Sequence, residues 1–304
     1  MRNNHYVIDI RARPPTAEVL RYFTPSHVRF FASRLGMPVL PRSYEEGSVD
    51  EFFAEADRAG VDRMVVVNRI VPAAGGSPAS DVSNEHVAEM VSQHPQRLIG
   101  VAGIDVGGDF GDPLEQTRHA VNGLGMRGIH ISPTRSALAT HADDRRLYPL
   151  YELCLELDIP VFVMTGPFAG PKIEDTHPRY IQQVAADFPR LKLVAGHACW
   201  PFTEAMLGVA YRHENVFVSP DAYLFMPGAE PFVKAIGTFL QDQVLYGSAY
   251  PVREVDKCLD DYLALGFTDR VLEKTLHENA ARLLKLDLGE QAYRTKPVFG
   301  AHST

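Results

Sequence analysis

The sequence has few cysteines. Cys154, Cys199 and Cys258 are odd in number, widely spaced and without a C-x-x-C pair, which excludes a disulfide framework and a zinc knuckle. A reducing cytoplasm is the compartment this usage fits. Basic excess is also missing: 38 acidic against 30 basic residues leave a formal charge of -8. That balance argues against a sequence-independent grip on nucleic acid or on an anionic membrane, while leaving room for a local basic pocket. No hydrophobic run nears the ~20 residues needed to span a bilayer. The opening MRNNHYVIDI has no apolar core of the signal-peptide kind, so an unprocessed, soluble protein is expected. Low-complexity tracts and internal repeats longer than a strand-helix unit are absent as well.

What is present is apolar material, 45% of 304 residues, arranged in a regular alternation. Eight β-rich runs recur at 6–10, 63–67, 98–104, 128–131, 161–164, 192–196, 216–220 and 244–247. Between most of them lie segments of helical period. In SVDEFFAEADRAG the residues Val49, Phe52, Phe53 and Ala56 share a stripe, Ser48 and Glu51 have the spacing of a capping box, and Gly60 stands where a helix would stop. A second pattern carries Leu147, Leu150, Tyr151, Cys154 and Leu157, and reads Cys154 as core packing. Further helices are predicted at 84–94, 113–122, 177–187, 202–212, 229–240, 254–265 and 269–284. Strands apolar on both faces and separated by helices form parallel sheet, and eight such units predict a closed (β/α)8 TIM barrel in one domain over 1–304. An open dinucleotide-binding sheet would need a Gly-rich turn after the first strand. Arg-Ala-Arg-Pro-Pro stands there instead, and the GGDFG run at 107–111 lacks the full spacing. A long first loop, 14–47, is rich in aromatic residues and suited to cover the barrel mouth, and residues 286–304 read as a tail.

In such a barrel the chemistry gathers where strands end at their carboxyl side. The first strand, VIDIRARPP, ends in two arginines that strict alternation puts on one face together with Asp9. Guanidiniums do not shed their protons, so Arg11 and Arg13 need anions, either from the protein or from a ligand. Other strand ends contribute Asn68 and Arg69, Asp105, His130 and Ser132, Met164 and Thr165, His197, Asp221 and Tyr223, and Ser248 and Tyr250.

The succession IDxRxR, DDRRLYPLYE with IPVFVMTG, GHACWPF, SPDAY, LYGSAYP and HENAARLL resembles the amidohydrolase-related (amidohydrolase 2 type) TIM-barrel hydrolases and decarboxylases, in order and over nearly the whole chain. The resemblance implies a catalytic divalent metal held by IDxHxH, by a GxKxHP-like segment, by histidines on the fifth and sixth strands and by the Asp of GSDYP. This sequence departs from that set: Arg11 and Arg13 replace both first-strand histidines, Met164 stands at the fifth-strand position, Ala249 replaces the Asp, His130 falls where Lys is usual and Ser132 where His is. Only His197 remains. Zinc takes three or four N, O or S donors, and two arginines would repel a dication, so no metal is expected. The alternative is a rebuilt site, such as zinc at His130, His197 and Asp221.

These residues predict a metal-independent enzyme acting on a small anionic, carboxylated compound, cyclic or aromatic. His197, Asp221 and His130 are the catalytic candidates. Arg11, Arg13, Arg69, Ser132, Thr165, Trp200, Tyr223 and Tyr250 are the substrate-binding ones. The resemblance implies hydrolysis of a lactone-type C-O or C-N bond, or else decarboxylation, and homodimers or homotetramers. Two plainer readings stand beside it: Arg11 and Arg13 in a structural ion-pair network with Asp9, Asp105 or Asp221, and a pocket that binds an anion without catalysis. Cys199, two residues past His197, reads as packing, since nothing in the sequence supplies the lowered pKa a nucleophile needs.

Overall fold

The computed structural model describes residues 5–289 apart from 38, 73–79, 109 and 139. Seven strands, β1 (Ile8–Ala12), β2 (Arg63–Val67), β3 (Leu98–Ile104), β4 (Ile129–Ile131), β5 (Val161–Met164), β6 (Leu193–Gly196) and β7 (Val216–Ser219), pair in chain order, all parallel. The predicted eighth strand is an extended segment without a regular ladder. Leu245 N–H donates to Val218 O at 3.0 Å and Ile10 N–H to Tyr246 O at 2.9 Å, so it still joins β7 to β1 and closes the TIM barrel. Its ladder stops because Ser248 turns its N–H and hydroxyl to the Asp9 carboxylate instead of to a strand.

Side-chain alternation divides the apolar residues into two cores. Ile8, Ile10, Val65, Val67, Ile99, Val101, Phe162, Val194, Phe217 and Leu245 fill the lumen, with Ala280, Leu283 and Leu284 closing its floor. Met64, Val66, Ala102, Ile129, Ile131, Val163, Ala195 and Val218 face the helical layer. On β1 this alternation breaks. Val7 faces the helices and Ile8 and Ile10 the lumen, yet Ala12 faces the helices again, because the register with β2 shifts between Asp9 and Ala12. A bulge of this kind re-aims one side chain. It corrects the strict alternation expected from sequence: Asp9 keeps the outer parity of Val7, whereas Arg11 swings into the mouth.

The helices follow their predicted positions. The helix α4 (Val49–Ala59) begins with Ser48 Oγ accepting from Glu51 N–H at 3.1 Å and ends at Gly60 in a left-handed conformation. The reciprocal half of the capping box is missing, since the Glu51 carboxylate takes Arg58 at 2.7 Å. The predicted first loop is helical instead: α1 (Ala17–Tyr22), α2 (Pro25–Arg34) and α3 (Arg42–Glu46) precede α4, with Thr16 and Thr24 capping the first two. Then come α5 (Asn84–Gln93), α6 (Pro113–Arg118), α7 (Tyr148–Glu156), α8 (Arg179–Asp187), α9 (Thr203–Arg212), α10 (Glu230–Ile236) and α11 (Val255–Leu263). The last helical stretch holds α12 (Asp269–Glu273) and α13 (Asn279–Leu284). In the GGDFG run, Asp109 lies outside the described residues, and so does the predicted tail from residue 290 onward. No helix among the described residues is long and apolar enough to cross a membrane.

Asn279, fully buried at the start of α13, donates from Nδ2 to Gln241 O and Val244 O, each at 2.8 Å, and so anchors the entry to the closing segment. Replacing it with Ala leaves two carbonyls, that of buried Val244 among them, without this donor. Asn279→Ala should lower stability by about 1–3 kcal/mol in a urea titration.

Candidate active site

Three titratable side chains meet above the lumen core. Asp221, on the turn after β7, is buried and directs Oδ2 at His197 Nδ1, 3.0 Å away, while the same oxygen faces Arg11 Nε at 3.9 Å. Its other oxygen accepts the Ser219 hydroxyl. Arg11 also points Nη2 at Met164 Sδ, 3.4 Å away, at the end of β5. With Nδ1 turned to Asp221, the His197 ring presents Nε2 to the cavity it lines.

The backbone that carries these groups is strained. His197, Ala198 and Cys199 are left-handed in succession, with φ of 67°, 47° and 56°, and Asp221 and Ala249 have φ of 53° and 58°. For residues other than Gly such conformations cost free energy and persist where surrounding contacts enforce them. Thr165 supplies one such contact: its Oγ1 accepts from Cys199 N–H at 3.1 Å and donates to Gly196 O at 2.7 Å. Space is supplied by glycine. A Cβ on Gly196 would lie 2.8 Å from Arg11 Nη1, and one on Gly247 would lie 2.5 Å from Asp221 Oδ1.

Above the His197–Asp221 pair opens a cavity of about 740 Å³, its mouth included. One side is aromatic: Tyr22, Phe23 and Phe31 from the first helices, Phe168 from the loop after β5, and Tyr223. Arg13, Arg69 and Arg135 also line it, and among the described residues none of these three has a carboxylate partner. The guanidinium of Arg13 lies 5.4 Å from the Phe23 ring centre. Burial, and then this uneven charge, sets the titrations. Burial, then Arg11, pulls the His197 imidazole down to about 4, and the opposing pull of Asp221 offsets that only in part. Burial and Arg13 lower Arg11 to about 10, and burial and Arg135 lower Arg69 to about 9. At neutral pH His197 is therefore uncharged while the guanidiniums keep their protons.

The structure draws Arg11, Arg13, Arg69, His197, Asp221 and Tyr223 together, and it places the other predicted site residues elsewhere. His130 lies between two helix-facing isoleucines, so it points into the lumen beneath the cavity without lining it. Burial and the three nearby guanidiniums hold its imidazole far below the ordinary range. Ser132 is buried beyond it, off the cavity wall. The Thr165 hydroxyl is committed to the backbone of the His197 turn, a bracing role and not a substrate contact. Trp200 stacks on Tyr223 at 5.5 Å and donates from its indole to Pro227 O at 3.1 Å, which places it behind the wall. Tyr250 is fully buried against Tyr44 and Phe52, with its hydroxyl donating to Glu55 at 2.7 Å and in contact with Ser43. A substrate does not reach it. Cys199 is buried and its thiol is pushed up to about 12, as packing requires.

Neither Asp9 nor Asp105 balances the arginines. Asp9 takes the Arg11 N–H and Ser248, and burial raises its carboxyl to about 6. Asp105 accepts from Gly107 N–H and Phe110 N–H. Among the described residues no three of His, Cys, Asp or Glu lie close enough together to hold a metal ion. Sequence reasoning missed Arg135 and His27, which also line the cavity. Arg135 stands past a short strand followed by Pro133, where no periodicity tells inside from outside.

A parallel barrel with an acid-base pair and guanidiniums at the carboxyl ends of its strands has the layout of a TIM-barrel enzyme. The chain belongs to the amidohydrolase family, whose sequence model matches residues 27–286. A solved relative, an uncharacterised TIM-barrel protein of Bordetella bronchiseptica, is 36% identical with a TM-score of 0.86, covering 95% of this chain and 100% of that one. Among curated proteins, the 2-amino-3-carboxymuconate-6-semialdehyde decarboxylase of Dictyostelium discoideum is 29% identical over 97 residues, 32% of this chain and 25% of that protein. The 2-keto-4-carboxy-3-hexenedioate hydratase of Sphingobium sp. (strain NBRC 103272 / SYK-6) is 24% identical over 137 residues, 40% of each. The chain thus matches about a quarter to two-fifths of the length of these curated relatives.

Asp221 favours the charged imidazole, so removing its charge should depress His197 further. In Asp221→Asn the His197 titration, followed by imidazole NMR, should move below its wild-type midpoint near 4. The wild type should also lose stability as pH falls from 6.5, the ordinary value of histidine, towards 4, because only the unfolded chain takes up the proton there.

Proposed function

We propose that this protein is a metal-independent enzyme that adds water to an electrophilic carbon of a small, planar, carboxylated compound, by hydrolysis of a lactone-type bond or by hydration of a conjugated double bond. The observation that carries the reading is a neutral His197, backed by Asp221, facing a cavity whose other charges are guanidiniums. Unprotonated at neutral pH, His197 begins as a base: Nε2 takes a proton from water, and hydroxide attacks the carbon. Arg11 and Arg13 stabilise the negative charge that develops on the substrate oxygen. Asp221 holds the imidazolium, which then returns its proton to the leaving oxygen or to carbon. Bound carboxylates also offset the guanidinium field that depresses His197, so substrate raises its pKa and fits it for the returning step.

The residues present do not fit a divalent metal. His197 and Asp221 give two donors where three or four are needed. A guanidinium roughly 4 Å from a dication would oppose it by about 8 kcal/mol at an effective dielectric constant of 20. Decarboxylation is the second reading, favoured by the muconate semialdehyde decarboxylase among the relatives. It would start from carbon-carbon cleavage and use His197 only afterwards, as a proton donor.

Turnover of a pyrone dicarboxylate, muconate and hydroxybenzoate panel should be unaffected by EDTA. In His197→Ala it should fall by about 10²–10⁴. The profile of kcat/KM should rise through a limb near pH 4, where His197 becomes the free base. Release of CO₂ with no uptake of solvent oxygen would identify the decarboxylase, and tight binding without turnover would make the protein a plain anion binder.

A further inference from the structure

We infer that Arg69 and Arg135 form a second carboxylate subsite, set across the mouth from His197, so that the preferred substrate carries at least two carboxylates. This inference rests on the proposed function and adds the substrate class to it. Arg69 follows β2 and Arg135 follows β4, whereas His197 and Asp221 follow β6 and β7, on the opposite arc of a barrel whose strands pair in order. Both arginines line the cavity and both are half-buried.

Neither has an acidic partner among the described residues, and Arg69 Nε and Arg135 Nη2 are shut away from solvent with no hydrogen-bond acceptor. Two mutually repelling guanidiniums with buried nitrogens that lack an acceptor are costly without an anion. Solvated surface arginines would carry no such cost. The fold also makes room for this approach. Gly103, on the lumen side of β3, is the floor on which the Arg69 segment lies: a Cβ there would come within 2.7 Å of Ile70 N and 3.0 Å of the Arg69 backbone. An arginine brought inward over a bare glycine is held in the mouth by its own backbone. Arg11, on β1, and Arg13, just past it, act on Arg69 but also on His197, and are left to a first carboxylate and to the charge that develops beside it. A planar fork takes a carboxylate through two parallel hydrogen bonds, so two such groups at a fixed separation measure the spacing between substrate carboxylates.

The test is calorimetric and needs no turnover. Benzoate, benzene-1,3-dicarboxylate and benzene-1,4-dicarboxylate are titrated into the wild type and into Arg69→Gln/Arg135→Gln, with circular dichroism to verify folding. If the double variant does not fold, Arg69→Gln and Arg135→Gln are titrated singly. One dicarboxylate should bind the wild type about ten- to a hundredfold more tightly than benzoate, and the variants should lose that advantage while holding benzoate as before. Equal weakening of both ligand types, no preference in the wild type, or no binding of either dicarboxylate would overturn the inference. His197→Ala separates it from the function. A preference retained in that variant with no turnover of any compound even by the wild type leaves the subsite standing and the function refuted. Turnover without preference does the reverse.

Discussion

The site depends on one carboxylate oxygen. Asp221 Oδ2 faces both His197 and Arg11, so one buried charge orients the imidazole and anchors the first guanidinium of the mouth. Everything near it is arranged to keep that oxygen in place. The Ser219 hydroxyl fixes the other half of the carboxylate, Gly247 leaves room for it, and Gly196 leaves room for the guanidinium. An isolated ion at this depth would be costly, and Asp221 Oδ2 has both His197 and Arg11 within ion-pair distance.

The positive charge is deliberately left over. Four arginines face one available carboxylate, because Asp9 and Asp105 are spent on backbone N–H groups and on Ser248. On the proposed reading the missing counter-charge arrives with the substrate, and its arrival changes the proton affinity of His197. Binding and proton transfer are then linked by electrostatics alone, with no moving part.

Much of the fold was legible in the sequence, since lumen and helix layer leave distinct apolar periods, as in VVV on β2 and LIGVAGI on β3. The helices of the first connection were not, because their polar caps and interspersed aromatic residues resemble those of a loop. Within the site, Arg11, Arg13, His197 and Asp221 were readable as strand-end residues of a barrel. Thr165, Trp200 and Tyr250 were misjudged for a shared reason: position along a strand indicates the end of the barrel but not whether a hydroxyl or indole is already bonded to its neighbours. Arg135 escaped because β4 is only three residues long and a proline intervenes. The bulge in β1 was invisible for a further reason, as it is a property of the pairing with β2 and not of the IDIRA sequence itself.

Two parts of the cavity wall are built to different standards. One part, with His197 and Asp221, stands on strand ends held in left-handed turns, conformations that cost free energy for residues other than Gly. Another part carries the rings of Tyr22, Phe23 and Phe31, on helices inserted between β1 and α4 and outside the paired strands. Changes of ring size on that insert can reshape what enters while leaving the chemistry intact. A scaffold divided in this way lets selectivity drift over evolutionary time at little risk to the reaction.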